Sequence, residues 1–178
     1  MFTEIEAKLK VDSLGEIERK LPELGAEFQA EQLQIDYFFD DVNSTLAKTD
    51  RCLRLRKQMV GKNESFLLTY KGAREKSNFK RRQEIEFEIK DADSVRKLLL
   101  VLGYEQSLVV EKKRRFWKLG DCEVALDRLP LLGDFVEIEG PNEEKIATMQ
   151  KSLGLIDLPH IIESYASLVT KKQIVNSK

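Results

Sequence analysis

The chain has 178 residues, 42% hydrophobic and 34% charged, with a formal net charge of -1. That length suits a single domain with a real core, and the balance of signs removes any global case for a nucleic-acid or anionic-membrane partner. Cys52 and Cys122 form neither a CxxC pair nor a zinc spacing, and no apolar run approaches membrane-spanning length, so a reduced, soluble, cytoplasmic protein is expected.

The chain opens directly on a charged run with no signal-peptide pattern. Residues 3–11 alternate, which in a strand puts Glu4, Glu6, Lys8 and Lys10 on one face and Thr3, Ile5, Ala7, Leu9 and Val11 on the other. Asp12-Ser13 reads as a polar cap, followed by Leu14, Ile17, Leu21 and Leu24 at helical spacing and a Gly25 stop. Pro22 should kink or shorten that helix. Residues 33–39 read as an apolar, aromatic strand and residues 40–50 as a polar connection. Residues 52–57 set Arg54 and Arg56 against Leu53 and Leu55, and residues 66–71 set Thr69 and Lys71 against Leu68 and Tyr70. A polar connection is expected between them over 57–65. Residues 72–80 are basic and short of apolar side chains, a segment expected to be mobile.

Residues 82–90 set Arg82, Glu84, Glu86, Glu88 and Lys90 against Gln83, Ile85, Phe87 and Ile89. Asp93-Ser94 then caps a helix carrying Val95, Leu98, Leu99 and Leu102, stopped at Gly103. Residues 109–119 and 122–128 form a hairpin closed at Gly120-Asp121. A third acidic run, Glu137-Ile138-Glu139, leads to Asn142, to Ile146, Met149 and Leu153, and to Gly154. The three Glu-Ile-Glu units read as an internal duplication with a partial third copy. The domain is expected over 1–170, with 171–178 a flexible tail. His160, the only histidine, is far from every motif and reads as structural.

This order gives about eight strands and about four helices, an α+β chain. The sheet buries its apolar face under helices, and its charged face meets either solvent or the wet interior of a barrel. The signs segregate by strand. Glu4/Glu6, Glu84/Glu86/Glu88 and Glu137/Glu139 are acidic, Glu123/Asp127 more weakly so, and Arg54/Arg56, Thr69/Lys71 and Lys112/Arg114 are basic. A solvated face mixes signs to make cross-strand pairs. Carboxylate oxygens suit hard divalent cations, and Arg and Lys suit phosphate.

These runs resemble a known family in order along nearly the whole chain. Glu4-Ile5-Glu6-Ala7-Lys8 is similar to the ExExK signature of the CYTH domain, the triphosphate tunnel metalloenzymes. Leu53-Arg54-Leu55-Arg56, Thr69-Tyr70-Lys71-Gly72, Arg82-Gln83-Glu84-Ile85-Glu86 and Val110-Glu111-Lys112-Lys113-Arg114 resemble its LRxR, TxKG, RxExE and VxKxR strands. Leu126-Asp127 and the run 132–140 resemble its LD…LGxFxEIE segment. The short chain most resembles the class IV adenylyl cyclase branch.

The resemblance implies an eight-stranded antiparallel β-barrel, a triphosphate tunnel, with helices packed outside. It implies that Glu4, Glu6, Glu137 and Glu139 hold Mg²⁺ or Mn²⁺, two ions, with Glu84, Glu86 and Asp127 in metal or supporting roles. It implies that Lys8, Arg54, Arg56, Lys71, Arg82, Lys112 and Arg114 grip the triphosphate, with Lys8, Lys71 and Arg114 catalytic. Alternation leaves Lys113 and Arg115 as an alternative inward pair, although Trp117 shares their face and favours packing outward. The family commonly has Asp-x-Tyr-Phe where this chain has Asp36-Tyr37-Phe38-Phe39, so a hydroxyl is absent or moved to the other face. The implied activity is ATP cyclisation to cyclic AMP and pyrophosphate, or hydrolysis of tripolyphosphate or thiamine triphosphate. A non-catalytic polyphosphate-binding module is the third reading. Nucleic acid and membrane are not expected partners, since a single-strand-binding barrel wants exposed aromatics among its basic strands. Family members are often homodimers.

Overall fold

A computed structural model describes residues 2–176. Among them, eight strands close into one antiparallel barrel: β1 (Phe2–Val11), β2 (Glu27–Asp40), β3 (Cys52–Val60), β4 (Asn63–Lys71), β5 (Lys80–Ile89), β6 (Glu105–Leu119), β7 (Cys122–Leu129) and β8 (Gly133–Glu139). Around the barrel the order is β1-β5-β4-β3-β2-β6-β7-β8, and β8 pairs back with β1. The helices are α1 (Gly15–Glu23), the single turn α2 (Thr45–Lys48), α3 (Ala92–Val101), α4 (Glu143–Leu153) and α5 (Tyr165–Asn176).

The register puts charged faces together. Glu6 lies opposite Lys80 of β5 on one side and Glu139 of β8 on the other. Asp36 faces Arg56 across β2 and β3, and Arg114 faces Asp127 across β6 and β7. Because side chains alternate, fixing these pairs sends Ile5, Ala7 and Leu9 outward into a dry layer beneath α1 and α4. That layer also holds Leu14, Leu21, Val124, Ile138, Ile146 and Leu153, all 0–1% exposed. Leu99 of α3 packs on Leu55 and Phe39, and Val169 of α5 joins Val110, Leu129 and Phe135. On β5 the outward Ile85 and Phe87 stay half-exposed, so the helices cover only part of the apolar face.

Local structure differs from the sequence reading at definite places. The strands extend into polar stretches: Gln58 belongs to β3 and Glu64 and Ser65 to β4, leaving a tight turn at Gly61-Lys62 with Gly61 at φ 59°. Polarity does not mark a loop here, because the barrel interior is itself polar. The α3 cap is Asp91, whose carboxylate accepts from the Ser94 amide, rather than Asp93-Ser94. Leu14, without a side-chain cap, precedes α1, and Ser13 Oγ accepts from the Gly15 amide. Asn142 does cap α4, accepting from Lys145, and Gly154 closes it at φ 77°. The connection over 40–50 carries α2, anchored by Asp40, which accepts from the Leu46 and Ala47 amides.

Residues 72–79 are tied down instead of loose. Arg74 bonds Asp50 and the Ile162 carbonyl, Ser77 bonds Glu143, and Phe79 packs edge-on against His160. His160 bonds Gln150 and the Asn78 carbonyl, a structural role. Residues 171–176, expected as a tail, continue α5, while 177–178 lie outside the described residues.

Ile146 is fully buried between α4 and the barrel. Ile146→Ala is expected to lower unfolding free energy by about 2–5 kcal/mol with an unchanged denaturant slope. Urea unfolding followed by circular dichroism checks this; a loss below about 1 kcal/mol would mean that α4 is not part of the core.

Candidate functional site

The barrel encloses a cavity of about 950 Å³ whose wall is charged. Lys8, Arg56, Lys71, Arg82, Lys112 and Arg114 are all at most 9% exposed and line it, and Arg54 lies with them. Glu4, Glu6, Glu84, Glu137 and Asp127 are equally buried, Glu139 is partly exposed, and Glu86 is exposed. Strand alternation builds this wall, and the cations and carboxylates hold each other in three groups.

In the first group Arg56 grips Asp36 with two hydrogen bonds, at 2.6 and 2.9 Å. Arg54 stands 3.7 Å from the same carboxylate and donates to Thr69 Oγ1, which donates to Glu86 at 2.7 Å. In the second, the Lys71 ammonium sits 2.6 Å from both Glu4 and Glu84, with Arg82 3.6 Å from Glu4. Lys80 bonds Glu6 alongside. In the third, Arg114 donates twice to Asp127 and once to Glu137. Lys112 lies 3.3 Å from Asp127, and Lys8 lies 3.3 Å from Glu137. Tyr165 of α5 donates to Asp127 at 2.9 Å, and its ring lies 4.1 Å from the Lys8 ammonium. Lys8 also donates to the Glu163 carbonyl, so the segment leading into α5 is tied to the barrel wall.

The sixth-strand register is thereby resolved. Lys112 and Arg114 point inward, Lys113 is exposed, and Arg115 bonds Glu18 of α1 outside. Trp117 packs against Phe28 on the outer face.

Titration shifts report how closely the signs balance. Burial alone would raise Glu4, but Lys71, Lys80 and Arg82 hold it well below the usual carboxylate range. Glu137 is likewise held down, by Arg114, Lys8 and Lys112 against burial. Two places stay unbalanced. Burial and the adjacent Glu4 and Glu6 push Glu139 up to about 8. Burial and Arg114 pull Lys112 down to about 7 despite Asp127. In addition, the buried Nε donors of Arg54 and Arg82 have no hydrogen-bond partner. The wall therefore lacks a counter-charge at Glu139 and leaves donors unpaired at Arg54 and Arg82.

An all-oxygen donor set at Glu4, Glu6 and Glu139 fits a hard divalent ion, and Glu139 lacks the counter-charge that the others have. No three His, Cys, Asp or Glu groups among the described residues form a ready ligand cluster. Glu4 and Glu6 direct their oxygens to Lys71 and Lys80, and Glu137 faces Arg114 and Lys8. Metal entry thus requires these ammonium groups to find another partner, and phosphate would be one.

Several wall residues escaped the sequence reading. Lys80 lies two residues before Arg82 on the same face, a signal hidden when the strand is started at Arg82. Asp36 stood out as part of a motif, not as the partner of Arg56. Tyr165 comes from a helix that crosses the barrel end, which no strand periodicity reveals.

Comparison with known proteins agrees with the geometry. The family model described as the CYTH domain matches residues 3–161. A Methanocaldococcus jannaschii protein, provisionally named an adenylate cyclase, is 32% identical over 136 residues, 76% of this chain and 75% of that one. The structure of the PH1819 protein from Pyrococcus horikoshii superposes with a TM-score of 0.83 at 30% identity, covering 95% of this chain and 99% of that one. A Hippeastrum protein, provisionally named an adenylyl cyclase and showing a dominant triphosphatase activity, shares the fold. Its TM-score is 0.70 at 18% identity, over 94% of this chain and 95% of that one. No helix among the described residues is long and apolar enough to cross a membrane.

A polyanion beside Lys112 raises its pKa from about 7, so binding takes up a proton. Tripolyphosphate in chelator is expected to bind with net proton uptake at pH 8, and its affinity should fall as pH rises above about 7. Calorimetry in buffers of different ionisation enthalpy checks this, and proton release at pH 8 would contradict it.

Proposed function

The chain belongs to the CYTH domain family, and from that premise we propose that it is a metal-dependent enzyme acting on a triphosphate, with ATP cyclisation to cyclic AMP and pyrophosphate the leading activity. The observation that carries this reading is the belt of buried cations with unmet donors at Arg54 and Arg82, enclosed in one cavity. Such a belt suits a chain of phosphates better than a single anion, because its members come from five different strands.

In this reading each cation exchanges a carboxylate for phosphate oxygens. Arg54, Arg56 and Arg114 offer planar paired donors, and Lys8, Lys71, Lys80 and Lys112 offer compact charge that can follow the oxygens. As Lys71 and Lys80 turn to phosphate, Glu4 and Glu6 come free beside Glu139 to hold Mg²⁺ or Mn²⁺, with Glu137 joining once Lys8 leaves it. The ion, when bound, neutralises phosphate oxygens and orients the reacting groups. In a cyclase the ribose 3′-hydroxyl attacks the α-phosphorus and pyrophosphate departs. Arg114, Lys8 and Lys71 then stabilise the charge growing on the leaving group. The jannaschii relative's name supports the cyclase direction.

The second reading is hydrolysis of the terminal phosphate. It draws on Phe38, which offers no hydroxyl and packs in the apolar group of Val110, Leu129 and Tyr165. The same wall serves both reactions, and they differ only in which oxygen attacks which phosphorus.

Two tests follow. Chromatography of products from ATP and from tripolyphosphate, with Mg²⁺ or Mn²⁺, should show cyclic AMP with stoichiometric pyrophosphate. Orthophosphate from tripolyphosphate with ATP untouched would transfer the activity to the hydrolase reading. Glu139→Gln should abolish metal-dependent turnover without lowering the melting temperature at pH 9. There the native carboxylate, with its pKa raised to about 8, is ionised and destabilising, and the amide removes that charge. Full turnover in this variant would remove Glu139 from the metal site.

A further inference from the structure

The two ends of the tunnel differ in chemistry. At the α5 end the lining contains Lys8 and Lys80, and the rim adds Lys48 and Arg51 together with the ion pairs Arg74–Asp50 and Lys171–Glu163. At the other end, where Gln32 stands opposite Arg114, Gln34 opposite Lys112 and Gln58 beyond Arg56, the lining among the described residues has no further cation. It has Gln32, Gln34, Gln58, Leu67 and Phe116, with Glu86 and Glu123 at the rim. A phosphate tail is attracted to the first end and repelled from the second.

The second end contains a polar group that nothing in the chain satisfies. Gln34 is 2% exposed, and it pairs with Gln58 of β3 and Lys112 of β6 in the barrel register. Its Nε2 donates to Gln32 Oε1 at 2.6 Å and to Gln58 Oε1 at 3.4 Å. Its own Oε1 is buried with no partner. A buried acceptor left bare is costly, and it lines a cavity. Gln32 and Gln58 use their oxygens on Gln34, which leaves their NH₂ groups as donors. Phe116 and Leu67 add the only large apolar faces at this end of the lining among the described residues. The Arg114 guanidinium lies 5.6 Å from the Phe116 ring.

We propose that Gln32, Gln34 and Gln58 form the subsite for the organic end of the triphosphate, and that they select a heterocycle edge carrying an amine beside a ring nitrogen. This rests on the triphosphate reading above. The amine donates to Gln34 Oε1, and the ring nitrogen accepts from a neighbouring glutamine NH₂, the donor-acceptor pairing by which amides read adenine. An oxo group in place of the amine sets acceptor against acceptor. Phe116 and Leu67 supply the surface for the ring. Adenine and the aminopyrimidine of thiamine both carry this edge.

The test is calorimetry in chelator, so that no turnover occurs, with ATP, inosine triphosphate, thiamine triphosphate and tripolyphosphate. Inosine triphosphate differs from ATP at the purine edge and replaces the amine by an oxo group. Wild-type protein should bind ATP about tenfold or more tighter than inosine triphosphate, the range expected for one paired amide contact. Gln34→Leu should bring that ratio near one while leaving tripolyphosphate affinity unchanged. Should Gln34→Leu not fold, Gln58→Leu at a less buried position reads the same ratio. Loss confined to thiamine triphosphate would assign the subsite to the aminopyrimidine, and loss for ATP would assign it to adenine. Equal affinity for ATP and inosine triphosphate, with thiamine triphosphate unaffected by either variant, overturns the subsite. So does a variant that weakens tripolyphosphate as much as ATP. Wild-type protein that fails to bind tripolyphosphate overturns the triphosphate reading itself, and the subsite with it.

Discussion

The structure depends on one constraint: every charge inside the barrel must have a counter-charge or a ligand. Lys71 between Glu4 and Glu84, Arg56 on Asp36, and Arg114 on Asp127 and Glu137 meet that constraint. Such pairs contribute little net stability, because desolvation of two ions offsets most of their attraction. Removing one partner is another matter, since the remaining charge is then buried alone. The interior is thus a network that tolerates exchange of partners and resists their loss. Stability comes from the dry layer outside, where Leu9, Leu21, Val124, Ile138 and Ile146 pack beneath α1 and α4.

This division of labour explains how much could be read from the sequence. The alternation that puts Ile5, Ala7 and Leu9 outside also puts Glu4, Glu6 and Lys8 inside, so strands and wall residues are encoded together. The eight-stranded barrel and the inward Lys112/Arg114 face were implied by the resemblance to the CYTH motifs, because the period by itself leaves Lys113 and Arg115 as an alternative and the charged face open to solvent. Where the inside is polar but uncharged, the signal fails: Gln58 and Ser65 read as loop yet lie in paired strands. Lys80 was lost for a related reason, because the basic stretch before it reads as an irregular segment. Caps were placed within two or three residues, since Asp91 and Asp93 offer the same chemistry and only geometry selects one. Contacts between distant segments left no local trace, as with Tyr165 on Asp127 and His160 on Asn78.

The same network would link the two proposed ligands. Glu4 and Glu6 are occupied by Lys71 and Lys80, so the proposed divalent ion and phosphate chain would each make room for the other. Lys112, pulled down to about 7, and Glu139, pushed up to about 8, mark where the internal pairing falls short. They lie on different strands and carry opposite signs, as expected if one faces phosphate and the other metal.

The most direct measurement is thermal unfolding in chelator with and without tripolyphosphate. A ligand that binds only the folded barrel stabilises it by about 2.7 kcal/mol at a hundred times its dissociation constant. For a chain of this size that is a rise of roughly 5–11 °C in melting temperature. The account predicts such a rise, diminished in Arg82→Ala, whose native Nε makes no hydrogen bond within the chain and stands 3.6 Å from Glu4. An unchanged melting temperature at millimolar tripolyphosphate would contradict it, because a buried cation belt with unmet donors would then have no use for the phosphate chain it fits.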